Sequence, residues 1–274
     1  MLAYVVLVLV LVWTFFPLYC ALVLSIKQPG DFFTSKYIPF LQFRPTLAHW
    51  LSEWHSLGNP AGLGHGMLNS MIVATLVTGL TLVLGTVTAY GLWQVGGGFH
   101  RLWPLLALFL LPRFVPPAVL VIPFAFGIHW SGLTDTVWPV VIAHTTLTLP
   151  LVVLFLFSGM TEIPDEIMDA ARLDGCRELD VLRRVVVPLM SPMLTAVAVL
   201  CLAASWNEFL FALINAQQHM WTAPLSIASL ITKDGIEFEY VGSHLLLVLL
   251  PPMLLVLLAR RFVVRALSLG LVRD

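Results

Sequence analysis

EIMDAARLDGCRELDVLRRVVVP, residues Glu166 to Pro188, gathers charge of both signs into one segment of a chain that is otherwise apolar. Hydrophobic residues fill 59% of the 274 positions and charged residues only 11%, with a mean hydropathy of +0.94. Such a composition cannot cover a water-soluble surface, so the segment reads as a polar excursion of a membrane protein. A bilayer crossing takes roughly 20 apolar residues. Six stretches meet that length: Leu2–Ile26, Met67–Trp93, Leu102–Phe126, Thr136–Phe157, Pro192–Ile214 and Val241–Val264. The first is too long for a cleaved signal sequence and lacks a basic start and a small-residue cleavage site, which makes it a retained span. The fold expected is all-α and polytopic, a single domain over residues 1–274.

Orientation follows from the basic residues. With the N-terminus in the cytoplasm, inner loops hold Arg101, Arg172, Arg177, Arg183, Arg184, Arg260, Arg261, Arg265 and Arg273, and outer loops hold only Lys27, Lys36, Arg44 and Lys233. Positive charge favours the inside, so both termini and the quoted segment are expected there. The net charge of −1 gives no reason to expect a nucleic-acid partner.

Enzyme motifs are missing. None of the three lysines follows a glycine, so no phosphate-binding Gly-Lys-Ser/Thr loop exists, and neither HExxH nor Gly-x-Ser-x-Gly occurs. Cys20, Cys176 and Cys201 form no CxxC pair and no disulfide framework, and the two inside apolar runs read as small packing residues. His49, His55 and His65 share the first outer loop, but their spacing matches no metal-site pattern. The glycine clusters Gly62–Gly66 and Gly96–Gly98 read as turns flanking the second span. In the same outer loop Leu47, Trp50, Leu51 and Trp54 have the spacing of a short amphipathic helix at the membrane surface, where tryptophan is favoured.

Just before the quoted segment, Pro164 suits the start of a helix, and Asp165 and Glu166 complement its positive end. The helix is expected to reach about Asp174, with Ile163, Ile167, Ala170, Ala171 and Asp174 forming a narrow stripe. Gly175 permits a left-handed turn. A second helix is expected from Glu178 to Val187, stopped by Pro188. The whole forms a helix-turn-helix loop over residues 159–191.

Asp169-Ala170-Ala171, three residues, Gly175, nine residues, then Val185-Val186-Val187-Pro188 resembles the E-A-A-x-x-x-G-x(9)-I-x-L-P loop of ATP-binding cassette importer permeases. The departures are Asp for Glu at 169 and Val for Ile and Leu at 185 and 187. Phe16-Pro17-Leu18-Tyr19, the exit Ser25-Ile26-Lys27, and Ser205-Trp206-Asn207-Glu208-Phe209-Leu210-Phe211-Ala212-Leu213 are similar to carbohydrate-uptake permeases of the maltose-transporter type, as is the ending from Arg261 to Arg273. Within these the chain resembles the shorter six-span subunit. The resemblance implies a permease of the bacterial or archaeal inner membrane that hydrolyses no ATP itself. It implies a second permease subunit, two ATPase subunits that bind ATP and magnesium, and an extracytoplasmic solute-binding protein. Glu166, Asp169, Ala170, Ala171, Asp174, Gly175 and Pro188 would then form the ATPase-coupling loop.

The solute path is expected among polar groups inside spans, which are costly to insert and tend to face a cavity or a partner helix. Arg113 lies among Pro112, Pro116 and Pro117 and has two roles open to it, lining the path or satisfying carbonyls that the prolines free. Asn207 and Glu208 have either solute hydroxyls or a partner helix as targets. Trp206 and Phe209 either stack on a sugar or pack, and His144 either meets solute or bonds a neighbouring helix. A rival class, an ion-coupled secondary transporter of a small polar solute, would carry its own ion site and commonly an internal repeat, and no repeat is evident.

Overall fold

The computed structural model describes residues 2–55, 62–96, 98–217, 219–232 and 235–271. The expectations resting on Lys233, Arg273 and the side chains of Trp54, His55, Arg260, Arg261 and Arg265 lie outside the described residues. The regular elements of the described residues are helices, apart from two paired two-residue strands. In order come α1 (Leu2–Ser25), α2 (Ala48–His55), α3 (Leu63–Val95), α4 (Gly98–Phe114), α5 (Pro117–Ser131), α6 (Val137–Met160), α7 (Asp165–Leu173), α8 (Glu178–Val181), α9 (Val187–Leu189), α10 (Ser191–Trp206), α11 (Leu210–Asn215), α12 (Ala223–Ser226) and α13 (Phe238–Leu271). Between α12 and α13 the strands β1 (Ile231–Thr232) and β2 (Gly235–Ile236) pair antiparallel.

Four helices are each long and apolar enough to cross a membrane: Ala3–Ser25, Leu63–Val95, Val137–Met160 and Tyr240–Ala259. The two other expected spans are broken. Where one span over Leu102–Phe126 was expected, α4 and α5 meet at an 83° bend. The cause is the run Pro112, Pro116, Pro117: prolines at 116 and 117 donate no hydrogen bond and bias the preceding residue away from the helical region, so α5 restarts with Pro117 in its first turn. The fifth span, expected over Pro192–Ile214, ends at Trp206 and gives way after three residues to the short α11. The Gly62–Gly66 cluster corrects an expected turn, since Gly64 and Gly66 lie inside α3. Gly66 is small because a Cβ there would stand 3.1 Å from the Thr222 carbonyl oxygen.

The chain divides into two compact units, residues 1–70 with 216–253 and residues 71–215 with 254–274. In the first unit the segment after α1 folds around Lys27. Its ammonium is buried, donates to the Thr34 carbonyl at 3.1 Å and lies 5.1 Å over the Tyr37 ring, an arrangement that trades hydration for a carbonyl and a π face. His49 on α2 bonds the Lys27 carbonyl at 2.9 Å. Leu47, just before α2, and Leu51 on it have exposed side chains.

Gly242 of α13 packs against α1 so closely that an added Cβ would press on backbone, including the Ala21 carbonyl oxygen at 2.8 Å. Gly85 of the second unit is tight only toward the Val152 side chain, at 2.7 Å. A side chain can rotate away; a backbone cannot. Gly242→Ala is therefore expected to destabilise by about 1–3 kcal/mol, in the range of overpacked cores, and Gly85→Ala by less. Thermal unfolding of the two detergent-purified variants checks the order.

In the core of the second unit Tyr90, Leu106, Leu156, Phe157, Met160 and Val197 belong to one buried cluster. Residues from α7 to α9 join this cluster, which is how the polar hairpin is fixed to the spans.

Candidate functional site

α7 starts after Pro164 with Asp165 and Glu166 in its first turn and Arg172 in its last, so charge matches the helix dipole at both ends. Its end is a Schellman motif. The Gly175 N–H donates to the Arg172 carbonyl at 3.0 Å and the Cys176 N–H to the Ala171 carbonyl at 3.1 Å, and Gly175 has φ +82°. The chain then re-enters a helix at Glu178, giving the expected hairpin. The second helix departs from expectation: Pro188 does not stop it. Residues Leu182–Val186 form a wide π turn, in which the Val187 N–H reaches back to the Leu182 carbonyl, and α9 carries Pro188 in its first turns. The extra residue of a π turn relieves the contact between a proline ring and the preceding helical carbonyl. The actual break is at Met190, before Pro192, where the axis turns by 78° into α10.

The stripe read in the sequence divides between two faces of α7. Met168 is the buried side chain of this helix, at 1% exposure, with Ile163 and Ala171 packed beside it. Ile167, Ala170 and Asp174 are exposed together with Glu166, Asp169 and Leu173. Met168 plugs into the core beside Met160, Val181 and Val186. The outward face of the hairpin thus combines three carboxylates, a small alanine and the apolar Leu173 and Ile167.

A polar latch holds the hairpin to α3. The Tyr90 hydroxyl donates to Glu178 at 2.6 Å, and the Gln94 amide donates to the same oxygen. The other Glu178 oxygen takes the Arg172 Nε at 3.2 Å, and Arg172 also meets Asp169 at 3.3 Å. The bonded Glu178 carboxylate holds the Arg172 guanidinium above its ordinary range. Neither Met168 nor this latch was found in the sequence. Glu178 stands 88 and 84 residues from its partners Tyr90 and Gln94, a separation at which no local pattern survives.

The path candidates divide into two places. His144 on α6, Ser205 and Glu208 converge: His144 Nδ1 is 3.3 Å from Ser205 Oγ and Nε2 is 3.3 Å from Glu208 Oε2. Glu208 also accepts the backbone N–H groups of Phe211 at 2.6 Å and Ala212 at 3.1 Å. It caps α11 and ties the helix break to α6 inside this chain. Asn207 donates to the Ala203 carbonyl at 2.9 Å, Trp206 is buried, and Phe209 is exposed. Arg113 stands elsewhere, exposed beside Thr148, Phe155 and Ala204 on a cavity of about 280 Å³. Among the described residues no group of three or more His, Cys, Asp or Glu converges as metal ligands.

Because a neutral amide accepts less strongly than a carboxylate at two backbone donors, Glu208→Gln is expected to cost about 1–3 kcal/mol of stability. Yield and thermal midpoint of the purified protein should fall together.

A family model described as binding-protein-dependent transport system inner membrane component matches residues 82–269. The chain is 28% identical over 265 residues to the melibiose/raffinose/stachyose import permease protein MelC of Bacillus subtilis (strain 168), covering 95% of this chain and 92% of that one. It is 28% identical over 256 residues to the sulfoquinovosyl glycerol transport system permease protein SmoH of Agrobacterium fabrum (strain C58 / ATCC 33970), covering 93% and 87%. Among solved structures, a chain of a bacterial ABC transporter involved in the import of the acidic polysaccharide alginate superposes with a TM-score of 0.73 at 17% identity, covering 95% of this chain and 94% of that one.

Proposed function

Since the chain belongs to the family of binding-protein-dependent transport system inner membrane components, we propose that it is a permease subunit of an ATP-driven importer for a carbohydrate or a carbohydrate-derived solute. The solute class rests on the relatives, one named for import of melibiose, raffinose and stachyose and the other for transport of sulfoquinovosyl glycerol. In this reading the chain works as one permease domain with both termini in the cytoplasm. It forms half of a path through the inner membrane, beside a second permease subunit and lipid. ATP and magnesium bind to two separate ATPase subunits, and a solute-binding protein delivers solute from the outside.

The observation that carries the reading is the hairpin geometry. A face of Glu166, Asp169, Ala170, Leu173 and Asp174 is turned outward, while Met168 and the Glu178 latch fix the opposite face to the spans. Such an element receives force on one side and delivers it on the other. Closure of an ATPase dimer would move the two hairpins of a complex together and rotate the attached spans as rigid bodies. In this reading the solute path runs beside Arg113 and the exposed Phe209. Glu208, His144, Trp206 and Asn207 form its supporting wall, their polar groups being taken up within the chain.

The test joins a contact to an activity. With Asp169→Cys in the assembled complex, a thiol cross-linker should capture an ATPase subunit, and reconstituted vesicles should take up solute only with ATP inside. Uptake driven by an ion gradient without ATPase subunits would instead establish the secondary transporter.

A further inference from the structure

Three buried polar side chains of the first unit play no part in the reading above. Glu53 on α2, Ser226 at the end of α12 and His244 on α13 are each less than a tenth exposed. His244 joins the other two, with Nδ1 3.1 Å from Glu53 Oε1 and Nε2 2.8 Å from Ser226 Oγ. The connectivity is that of a nucleophilic triad, yet Ser226 has no accessible surface, and its hydroxyl also lies 2.7 Å from the Ala223 carbonyl. No substrate atom can reach it, so the trio acts through what it holds.

What it holds is the segment that leads from α11 to α13. From the other side the first turns of α3 grip the same residues: Asn69 donates to the His219 and Trp221 carbonyls, both at 2.8 Å, and Ser70 Oγ accepts the Ala223 N–H at 2.9 Å. Gly66 lets this backbone approach to van der Waals contact. Apolar packing would stabilise a loop as well as a buried carboxylate–imidazole pair does, at less desolvation cost. Directional bonds add something different, one fixed orientation of the backbone they reach.

We propose that Glu53, His244 and Ser226 are positioning residues that set the orientation of segment 219–230, so that the outer face of the chain meets a loaded solute-binding protein in a single geometry. This rests on the importer reading, which puts α2 and this segment on the outer side. Preset orientation removes an ordering cost from the encounter. Its loss therefore weakens capture of the binding protein while the chemistry at the ATPases, once capture has occurred, proceeds as before.

The experiment uses the complete complex in lipid nanodiscs, titrated with the solute-loaded binding protein that co-purifies with it, with ATP hydrolysis as the signal. His244→Leu cuts both links and leaves Glu53 without its imidazole. Ser226→Ala cuts the link from His244 to the segment, together with the bond to the Ala223 carbonyl, and is mild enough to keep the fold. For both, the binding-protein concentration giving half-maximal stimulation is expected to rise about five- to tenfold, with the maximal rate kept within about twofold. Amide exchange over residues 223–230 should quicken about tenfold or more. Unchanged half-saturation in Ser226→Ala, with exchange quickened, overturns the proposal. So does a parallel fall in maximal rate and thermal midpoint without a change in half-saturation, which marks a merely structural role. If the unaltered complex is not stimulated by binding protein at all, the importer reading fails first, and unchanged exchange in Ser226→Ala would then overturn the clamp separately.

Discussion

Gly175→Val is expected to reduce ATP-driven uptake at least tenfold while the complex still inserts, assembles and hydrolyses ATP. An added Cβ at Gly175 has no atom within 4 Å, so crowding by neighbours is not the issue. The backbone is: φ +82° costs a residue with a Cβ about 1–2 kcal/mol, and more for a β-branched one. Relief comes by unwinding the Schellman turn, which releases the bonds from Gly175 to Arg172 and from Cys176 to Ala171. The angle between α7 and α8 is then no longer set, and the outward face of the hairpin moves independently of α8. The side-chain series gives the check. Asparagine, which tolerates the left-handed region, should keep most of the uptake, alanine should be intermediate, and valine worst. Uptake per ATP hydrolysed, measured in vesicles, is the quantity to follow. Equal uptake for asparagine and valine would show that the turn's handedness does not matter to coupling.

How much of this was legible before the structure depended on distance along the chain. Span positions, the start of α7 and the left-handed glycine follow from composition, dipole complement and φ, all local properties. Breaks at Pro116–Pro117 and after Trp206 were less legible, because an apolar window reports length and does not register direction. Which face of α7 turns inward was not legible, for a specific reason. Ile167, Met168, Ala170, Ala171 and Leu173 supply apolar groups on two sides of the helix, and periodicity alone cannot choose between the side through Ile167 and Ala170 and the side through Met168 and Ala171. The structure chooses the second, since Met168 reaches the core that Phe157 and Val181 build. Glu208 shows a similar limit. Its type and place in a span drew attention, but its partners are the backbone of Phe211 and Ala212, available only because α10 ends before it.

Met168→Ala should separate the two faces of the hairpin more sharply than any change on its exposed side. Met168 is 1% exposed and is the buried side chain of α7, so truncation removes the plug that seats α7 in the spans. Buried Met-to-Ala changes cost about 2–5 kcal/mol, depending on how far the surroundings close the cavity. The Glu178 latch and the Schellman turn remain, which keeps α7 near its place and its outward residues available to a partner. An ATPase subunit should therefore still bind and hydrolyse ATP, while the stroke is taken up by slack beneath the helix. Uptake per ATP is expected to fall about tenfold or more, with Asp169→Cys cross-linking to the ATPase subunit preserved. Met168→Leu conserves volume and should cost under about 1.5 kcal/mol, leaving coupling nearly intact. If instead the alanine variant loses the cross-link and the hydrolysis together, Met168 serves assembly, and transmission of force would have to run through the Tyr90–Glu178–Arg172 latch alone.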